Sequence, residues 1–266
     1  MKPPKAHAIG SRKDYRAFIG GVDRYDFMGA LQFNVLTTLG LRAHHRLLDI
    51  GCGSLRVGRL LMMYLNPSCY YGIEPEKWLI DEAIEHECGR DLVKLKQPTF
   101  SYDSNFECGK FGVRFDYFLA QSVFSHATQH QINLCFMEVS KSISSNGYFV
   151  FTYVKGDTDW VGSHWAYPKC VPYTESFMKN VSEQNGLYLF EIEPPVPSGQ
   201  TWSIATPIAN KNSIAYLESS TLQDINNRLV YYRQRLNMLE NTGFIRFYLA
   251  VKTYATKIKM KIKGQA

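Results

Sequence analysis

One stretch constrains this chain more than any other: RLLDIGCGSLRVGRLL, residues 46–61. A short apolar run, Leu47, Leu48 and Ile50, is interrupted by a single carboxylate, Asp49. Gly51 and Gly53 flank Cys52, and Leu55, Leu60 and Leu61 follow at helical spacing. The pattern reads strand, tight turn, helix start. Glycine there admits positive φ and lets a ligand come close to the main chain. A helix N-terminus directly behind it offers N–H groups without intrahelical partners.

A dinucleotide-binding turn reads G-x-G-x-x-G and faces a pyrophosphate. Here Arg56 stands where the third glycine would be, although Gly58 follows soon after. Asp49, at the strand end, would repel a diphosphate and suits a ligand bearing an ammonium and a sulfonium. D-I-G-C-G between strand and helix resembles the cofactor loop of class I S-adenosylmethionine-dependent methyltransferases. The resemblance implies S-adenosyl-L-methionine as cofactor, with Asp49, Gly51, Cys52 and Gly53 beside it. It implies an α/β fold: a Rossmann-like, seven-stranded, mostly parallel sheet with helices on both faces. A turn without a ligand, and a nicotinamide or flavin site, remain the alternatives at this point.

The 266 residues suit one good core with decorations. The expected division is a mobile N-terminal segment over 1–22, a methyltransferase domain over 23–207, and a C-terminal helical extension with a basic tail over 208–266. Net charge is +6, but Lys252, Lys257, Lys259, Lys261 and Lys263 fall together with no acid among them. The body is therefore near neutral, and no nucleic-acid partner is expected. Six scattered cysteines without a C-x-x-C pair argue against zinc and fit reduced thiols. Met1 to Lys5 lacks the apolar core of a signal peptide, and no apolar run spans a bilayer, so a cytoplasmic place is expected.

Asp23 to Gly40 reads as a helix, with Phe27, Leu31, Val35 and Leu39 at a helical interval, Asp23 capping its start and Gly40 its end. A helix there often covers the cofactor in the resembled family, which makes Tyr15, Tyr25 and Gln32 candidate contacts, Tyr25 toward the substrate. Cys69 to Glu74 reads as a second strand ending on an acid, just over twenty residues past the glycines. A carboxylate there accepts two adjacent ribose hydroxyls. Pro75 follows, and Glu76 to His86 looks helical. After a third strand, Pro98 to Tyr102, the resemblance places Asn105 and Phe106 against the adenine.

Phe115 to Ala120 is a nearly continuous apolar strand, as expected where both faces are covered. The wording FDYFLAQSVFSH is similar to the fourth-strand motif of small-molecule and glycan methyltransferases. It makes Gln121 and Ser122 cofactor contacts and His126 the first candidate base. His126 and His130 are four apart, yet nothing nearby completes a metal set, and no metal is expected. Gln131 to Ser142 is amphipathic, an Asn146-Gly147 turn closes it, and Tyr148 to Val154 is a fifth strand. The loop 155–172 carries Trp160, Trp165 and Tyr167, which could stack on a sugar or aromatic acceptor, and His164, a second candidate base. Thr174 to Gln184 reads as a helix, and Leu187 to Glu193 with Thr201 to Thr206 as a final antiparallel hairpin.

From Leu222 to Leu239 apolar residues alternate steps of three and four, a helix that could pack on the body or form a homodimer. The lysine-rich segment after Gly243 could lie on an anionic inner membrane surface. The expected activity is methyl transfer to a small-molecule or glycan acceptor. A histidine base favours a hydroxyl acceptor. N-methylation of a small molecule or protein, and a non-catalytic cofactor-binding module, are the alternatives.

Overall fold

The computed structural model describes residues 14–192 and 199–211. Strand β1 (Leu47–Ile50) is buried at every residue and pairs in parallel with β2 (Tyr70–Ile73) on one side and β4 (Phe115–Ala120) on the other. Beyond them lie β3 (Thr99–Ser101), parallel to β2, and β5 (Ile143–Lys155), parallel to β4. β7 (Leu187–Ile192) and β8 (Thr201–Pro207) form the antiparallel hairpin, with β8 inserted beside β5, in the order β3-β2-β1-β4-β5-β8-β7. The two-residue β6 (Pro172–Tyr173) pairs with β5 off this path and makes eight strands among the described residues, where seven are expected.

Among the described residues, seven α-helices surround the sheet: α1 (Tyr15–Phe18), α2 (Tyr25–Thr38), α3 (Gly58–Tyr64), α4 (Lys77–Ala83), α5 (Arg90–Lys96), α6 (Gln129–Ser142) and α7 (Glu175–Gln184). The strands alternate between two apolar clusters. Leu48, Phe118, Ala120 and Phe149 join Phe136 and Val139 of α6 and Met178 of α7. Leu47, Tyr117, Leu119 and Val150 join Leu31 and Val35 of α2, Leu61 of α3 and Ile80 of α4. That division explains why the central strands read as unbroken apolar runs: successive side chains point to opposite faces, and both faces are covered.

Several local expectations change. The first long helix starts at Tyr25, after a 3-10 turn over Val22–Arg24, and Asp23 makes no capping bond. Its buried side carries Met28, Leu31, Gln32, Val35 and Leu36, while Phe27 faces outward at 42% exposure. Gly40 does end it: at φ +96° it lets Leu41 N donate to Leu36 O (3.0 Å) and Gly40 N to Thr37 O (3.2 Å). The helix behind the cofactor-like glycines begins only at Gly58, because residues 54–57 stay in turns, with Leu55 at φ +55°. Helix α4 passes into a wider π turn over Ile84–Cys88, and α5, which buries no residue fully, left no apolar signature.

Residues 14–22 of the segment expected to be mobile carry a short helix and the start of a 3-10 turn. Asp14 caps α1 by accepting from Arg16 N and Ala17 N. Arg16 and Tyr15 both bond Glu87, anchoring the segment to the π turn. The helix expected over 222–239 and the basic segment beyond it lie outside the described residues.

Asn146-Gly147 is not a turn. β5 starts at Ile143, directly after α6, and its register against β4 shifts between Phe115 and Tyr117. A Cβ on Gly147 would lie 2.6 Å from Ile143 Cγ1 and 3.1 Å from the Phe115 carbonyl oxygen. Glycine serves close packing at that irregularity. Gly147→Val is expected to destabilise the fold by about 1–3 kcal/mol, the usual cost of overpacking, read as a lower urea midpoint at unchanged m-value.

Candidate functional site

The strand order reverses between β1 and β4, where α/β sheets bind ligands at the carboxyl ends of their strands. A cavity of about 430 Å³ opens there. The ends of β1, β2 and β4 form its floor, and Phe18, the last residue of α1, and Ile19 after it form part of its wall.

Gly51 and Gly53 both hold positive φ, +66° and +54°. Their N–H groups are not left open for a ligand. Gly51 N and Cys52 N donate to Ile73 O at 2.8 and 3.1 Å, and Gly53 N donates to Glu74 Oε2 at 2.9 Å. A Cβ on Gly51 would meet Val123 at 2.7 Å, and one on Gly53 would meet Ile19 at 2.9 Å. The glycines thus allow close approach of the chain's own segments as well as the turn. Cys52 and Pro75 line the same floor.

Two buried carboxylates face this cavity. Asp49 is 3% exposed, and its Oδ2 accepts from the Tyr70 hydroxyl at 2.9 Å. Burial pushes its pKa up to about 7. Glu74 is 8% exposed and accepts from Glu76 N on Oε1 and from Gly53 N on Oε2. Burial raises it to about 6, although both backbone bonds favour the anion. Each oxygen keeps a further lone pair for a ligand hydroxyl or ammonium. A cation placed against either group would restore its charge.

At the β4 end, Gln121 Oε1 accepts from Arg56 and from Gln32 Nε2. Ser122, at φ +62°, donates from N to Thr152 Oγ1 and accepts on Oγ from Gln200 Nε2. His126 is 8% exposed, and its Nδ1 lies 2.9 Å from the Lys169 carbonyl oxygen. A carbonyl only accepts, so Nδ1 carries the hydrogen, and Nε2 of the neutral ring is left with its lone pair. Burial lowers the His126 pKa, which keeps the ring neutral near pH 7. Trp165 and Tyr167 pack against this imidazole, with ring centres 5.8 and 5.1 Å away, and line the cavity with it.

Other expected contacts fall elsewhere. Asn105 is exposed and lies outside this cavity; Asp103, Ser104 and Phe106 line it instead. The reason is local: Asp103 Oδ1 accepts from Asn105 N and Glu107 N, which folds the loop back so that Phe106, at φ +57°, turns inward. His164 is exposed, bonds Ser163 Oγ at 2.8 Å, and lines a shallower groove with Asn105, His130 and Trp165. Trp160 packs against the apolar core and borders neither space. Tyr25 is 1% exposed, donates to Ser54 O at 2.7 Å, and is sandwiched by Arg16 and Arg59, so it supports the turn and touches no ligand space. His126 precedes α6 and His130 lies in its first turn, so they do not share a helix face. Among the described residues no cluster of His, Cys, Asp or Glu could hold a metal ion.

The sequence reading missed Asp103, Phe18, Ile19 and, as a wall residue, Arg56. Asp103 carried a signal, an acid two residues past a strand end. Phe18 and Ile19 carried none, since a four-residue helix shows no periodicity.

No family model matches the chain, and no curated protein matches it. Solved structures do. Magnesium protoporphyrin IX methyltransferase of Synechocystis PCC 6803, with bound SAH, superposes at TM-score 0.52 and 14% identity, over 70% of this chain and 87% of that one. DesVI of Streptomyces venezuelae gives TM-score 0.56 at 14% identity, over 76% and 100%. A SAM-dependent methyltransferase of Leishmania major gives 0.54 at 18% identity, over 72% and 76%. The fold is that of the class I methyltransferases. In that fold the sheet order and the terminal antiparallel hairpin of this chain are the expected ones.

The two raised carboxylates make a pH prediction. A group whose folded pKa is raised contributes stability in full below its unfolded value, near 3.8 for Asp49, and loses that contribution as pH rises through the folded value, about 7. Ligand-free protein should therefore lose more stability between pH 5 and 7.5 than the Asp49→Asn variant, in urea midpoints measured at each pH.

Proposed function

We propose that this protein is an S-adenosylmethionine-dependent methyltransferase that methylates a small-molecule acceptor at a hydroxyl, with His126 as the base. The observation that carries this reading is one cavity holding Asp49 and Glu74, buried without a paired cation, together with His126 and its bare Nε2. S-adenosylmethionine, when bound, supplies an activated methyl group on a sulfonium. The residues fit such a ligand. Glu74 offers a carboxylate to a pair of hydroxyls, Asp49 offers one to positive charge, and Phe106, Val123 and Leu79 give apolar wall.

The protein's own part is positioning and proton removal. Trp165 and Tyr167 hold the imidazole from two sides, and the Lys169 carbonyl fixes its tautomer. Nε2 then takes the acceptor's hydroxyl proton as the oxygen is alkylated. Walls of Phe18, Ile19 and Tyr167 limit water, and positioning can supply much of the rate. An amino acceptor needs only to be uncharged and oriented, whereas a hydroxyl must give up its proton, so a neutral His126 beside Trp165 and Tyr167 favours oxygen. A glycan acceptor is compatible with the exposed face of Trp165, 45% accessible.

The six free cysteines fit a reducing, cytoplasmic setting, and no helix among the described residues is long and apolar enough to cross a membrane. Contact of the basic tail with an inner membrane surface, and a homodimer through the C-terminal helix, rest on residues outside the described ones.

Asp49→Ala and Glu74→Ala should each weaken S-adenosylmethionine binding at least about tenfold, the worth of a charge-assisted hydrogen bond; unchanged titrations for both would remove the site assignment. His126→Ala should leave that affinity intact and slow turnover by about a hundredfold or more, while His164→Ala should leave both unchanged. The acceptor can be sought by incubating cell-extract fractions with labelled cofactor and looking by mass spectrometry for a gain of one methyl group. Label appearing only on amino nitrogen, at a rate indifferent to His126, would refute the hydroxyl reading.

A further inference from the structure

A second space adjoins the cavity, and the proposed reaction leaves it unused. It is a groove of about 680 Å³ between the first turn of α6, the turn after β3 and residues 161–165 of the loop after β5. Ser104, Gln131 and Trp165 line both spaces. The protein's own bonds fix its walls. Thr128 Oγ1 accepts from Gln131 N while Gln131 Oε1 accepts from Thr128 N, a reciprocal cap that sets where α6 begins. Residues 161–165 are pinned at both ends, by Gln129 Nε2 on the Trp160 carbonyl at 3.0 Å and by Ala166 N on the His126 carbonyl at 2.8 Å. Between those ties the Trp160 ring leaves no room for a Cβ on Gly162.

Charge separates the groove from the cavity. The cavity wall carries Asp49, Arg56, Glu74, Glu76 and Asp103, whereas the described residues that line the groove include no Asp, Glu, Lys or Arg. A charged group seated there would lose hydration and gain no counter-charge. Amides and hydroxyls line it instead, and several are uncommitted. The side chains of Ser104, Asn105 and His130, and the amide nitrogen of Gln131, make no hydrogen bond to another described residue. Beside them Trp165 stays 45% exposed. A wholly apolar ligand would cover these polar groups and leave them without partners. A sugar meets both demands: its C–H face suits an indole ring, and its rim of hydroxyls both donates and accepts. The Trp165 ring centre lies 5.8 Å from that of His126. A sugar hydroxyl at His126 Nε2 therefore brings the sugar that bears it against Trp165, and the next sugar into the groove.

We infer that the acceptor is an uncharged oligosaccharide, with the sugar to be methylated at His126 and the neighbouring sugar held in this groove. The inference rests on the proposed methyl transfer. It makes Asn105 and His130, which line the groove and not the cavity, specificity residues for acceptor length.

The test offers the full chain methyl-labelled S-adenosylmethionine and separate pools from a cell extract: neutral oligosaccharides, the monosaccharides obtained by hydrolysing them, acidic glycans, and sugar-free small molecules. Preparing the neutral pool from both the aqueous and the lipid-extracted material tells a free oligosaccharide from a lipid-linked one. Label should enter the neutral oligosaccharides, with kcat/KM at least about tenfold above that for their monosaccharides, the worth of one or two hydrogen bonds and a stacked ring. Asn105→Ala and His130→Ala should each raise KM for the oligosaccharides about three- to tenfold at unchanged kcat, and leave KM for the monosaccharides as it was. Both residues are exposed, and that dependence on length is one a folding defect would not produce. Label confined to the acidic or sugar-free pool, monosaccharides used as well as oligosaccharides, or a KM unmoved in both variants would overturn the inference and leave methyl transfer standing. Label in no pool, from protein that binds S-adenosylmethionine, would overturn the catalytic reading and this inference with it.

Discussion

The end of β1 is tied to the end of β2 by three backbone donors, Gly51 N and Cys52 N on the Ile73 carbonyl and Gly53 N on Glu74. The site depends on that stitch. It sets the bend of the glycine turn, and it brings the Glu74 carboxylate to the cavity floor beside Asp49. Because the turn spends its N–H groups within the protein, it is poor at holding a phosphate, which needs those donors. What remains exposed to a ligand is the negative side of the stitch. Under the proposed function, a preference for a cationic ligand over a diphosphate follows from hydrogen bonds the turn has already made.

Around this stitch the chain is assembled so that every wall comes from a different part of the sequence. α1 is held by Glu87 on the π turn, and the Tyr167 hydroxyl reaches the Phe18 carbonyl from the loop after β5. His126 is held by that same loop, through Lys169, Ala166 N on its own carbonyl, and the rings of Trp165 and Tyr167. The loop therefore orients the proposed base while Trp165 and Tyr167 line the cavity beside it. The proposed base is oriented by a loop, and the proposed donor site is built on strand ends.

The legible parts of the sequence were those whose pattern is local. β1, β2 and β4, the Schellman ending at Gly40 and the final hairpin all announce themselves through apolar runs or glycine placement. Asp49, Glu74, Gln121, Ser122 and His126 could be placed because each sits at a strand end, and strand ends of a parallel sheet converge on one edge. Asn146-Gly147 misled, since the same dipeptide that makes a tight turn also serves wherever two backbones approach too closely for a Cβ. Tyr25 and Trp160 misled because an aromatic residue near a ligand edge is as well suited to packing as to binding.

By itself, then, the sequence determined the order of the seven main strands and the longer helices between them, the covering of the sheet on both faces, and the acidic, glycine-lined edge, because periodicity and turn chemistry act over a few residues. Only tertiary structure decided which side chains reach the cavity. It excluded Asn105, His164 and Trp160, admitted Asp103, Phe18 and Ile19, and left Arg56 with a buried nitrogen unpaired. Those outcomes hang on contacts between segments far apart in the chain, and a loop's inward or outward turn is set by such contacts, which no local pattern encodes.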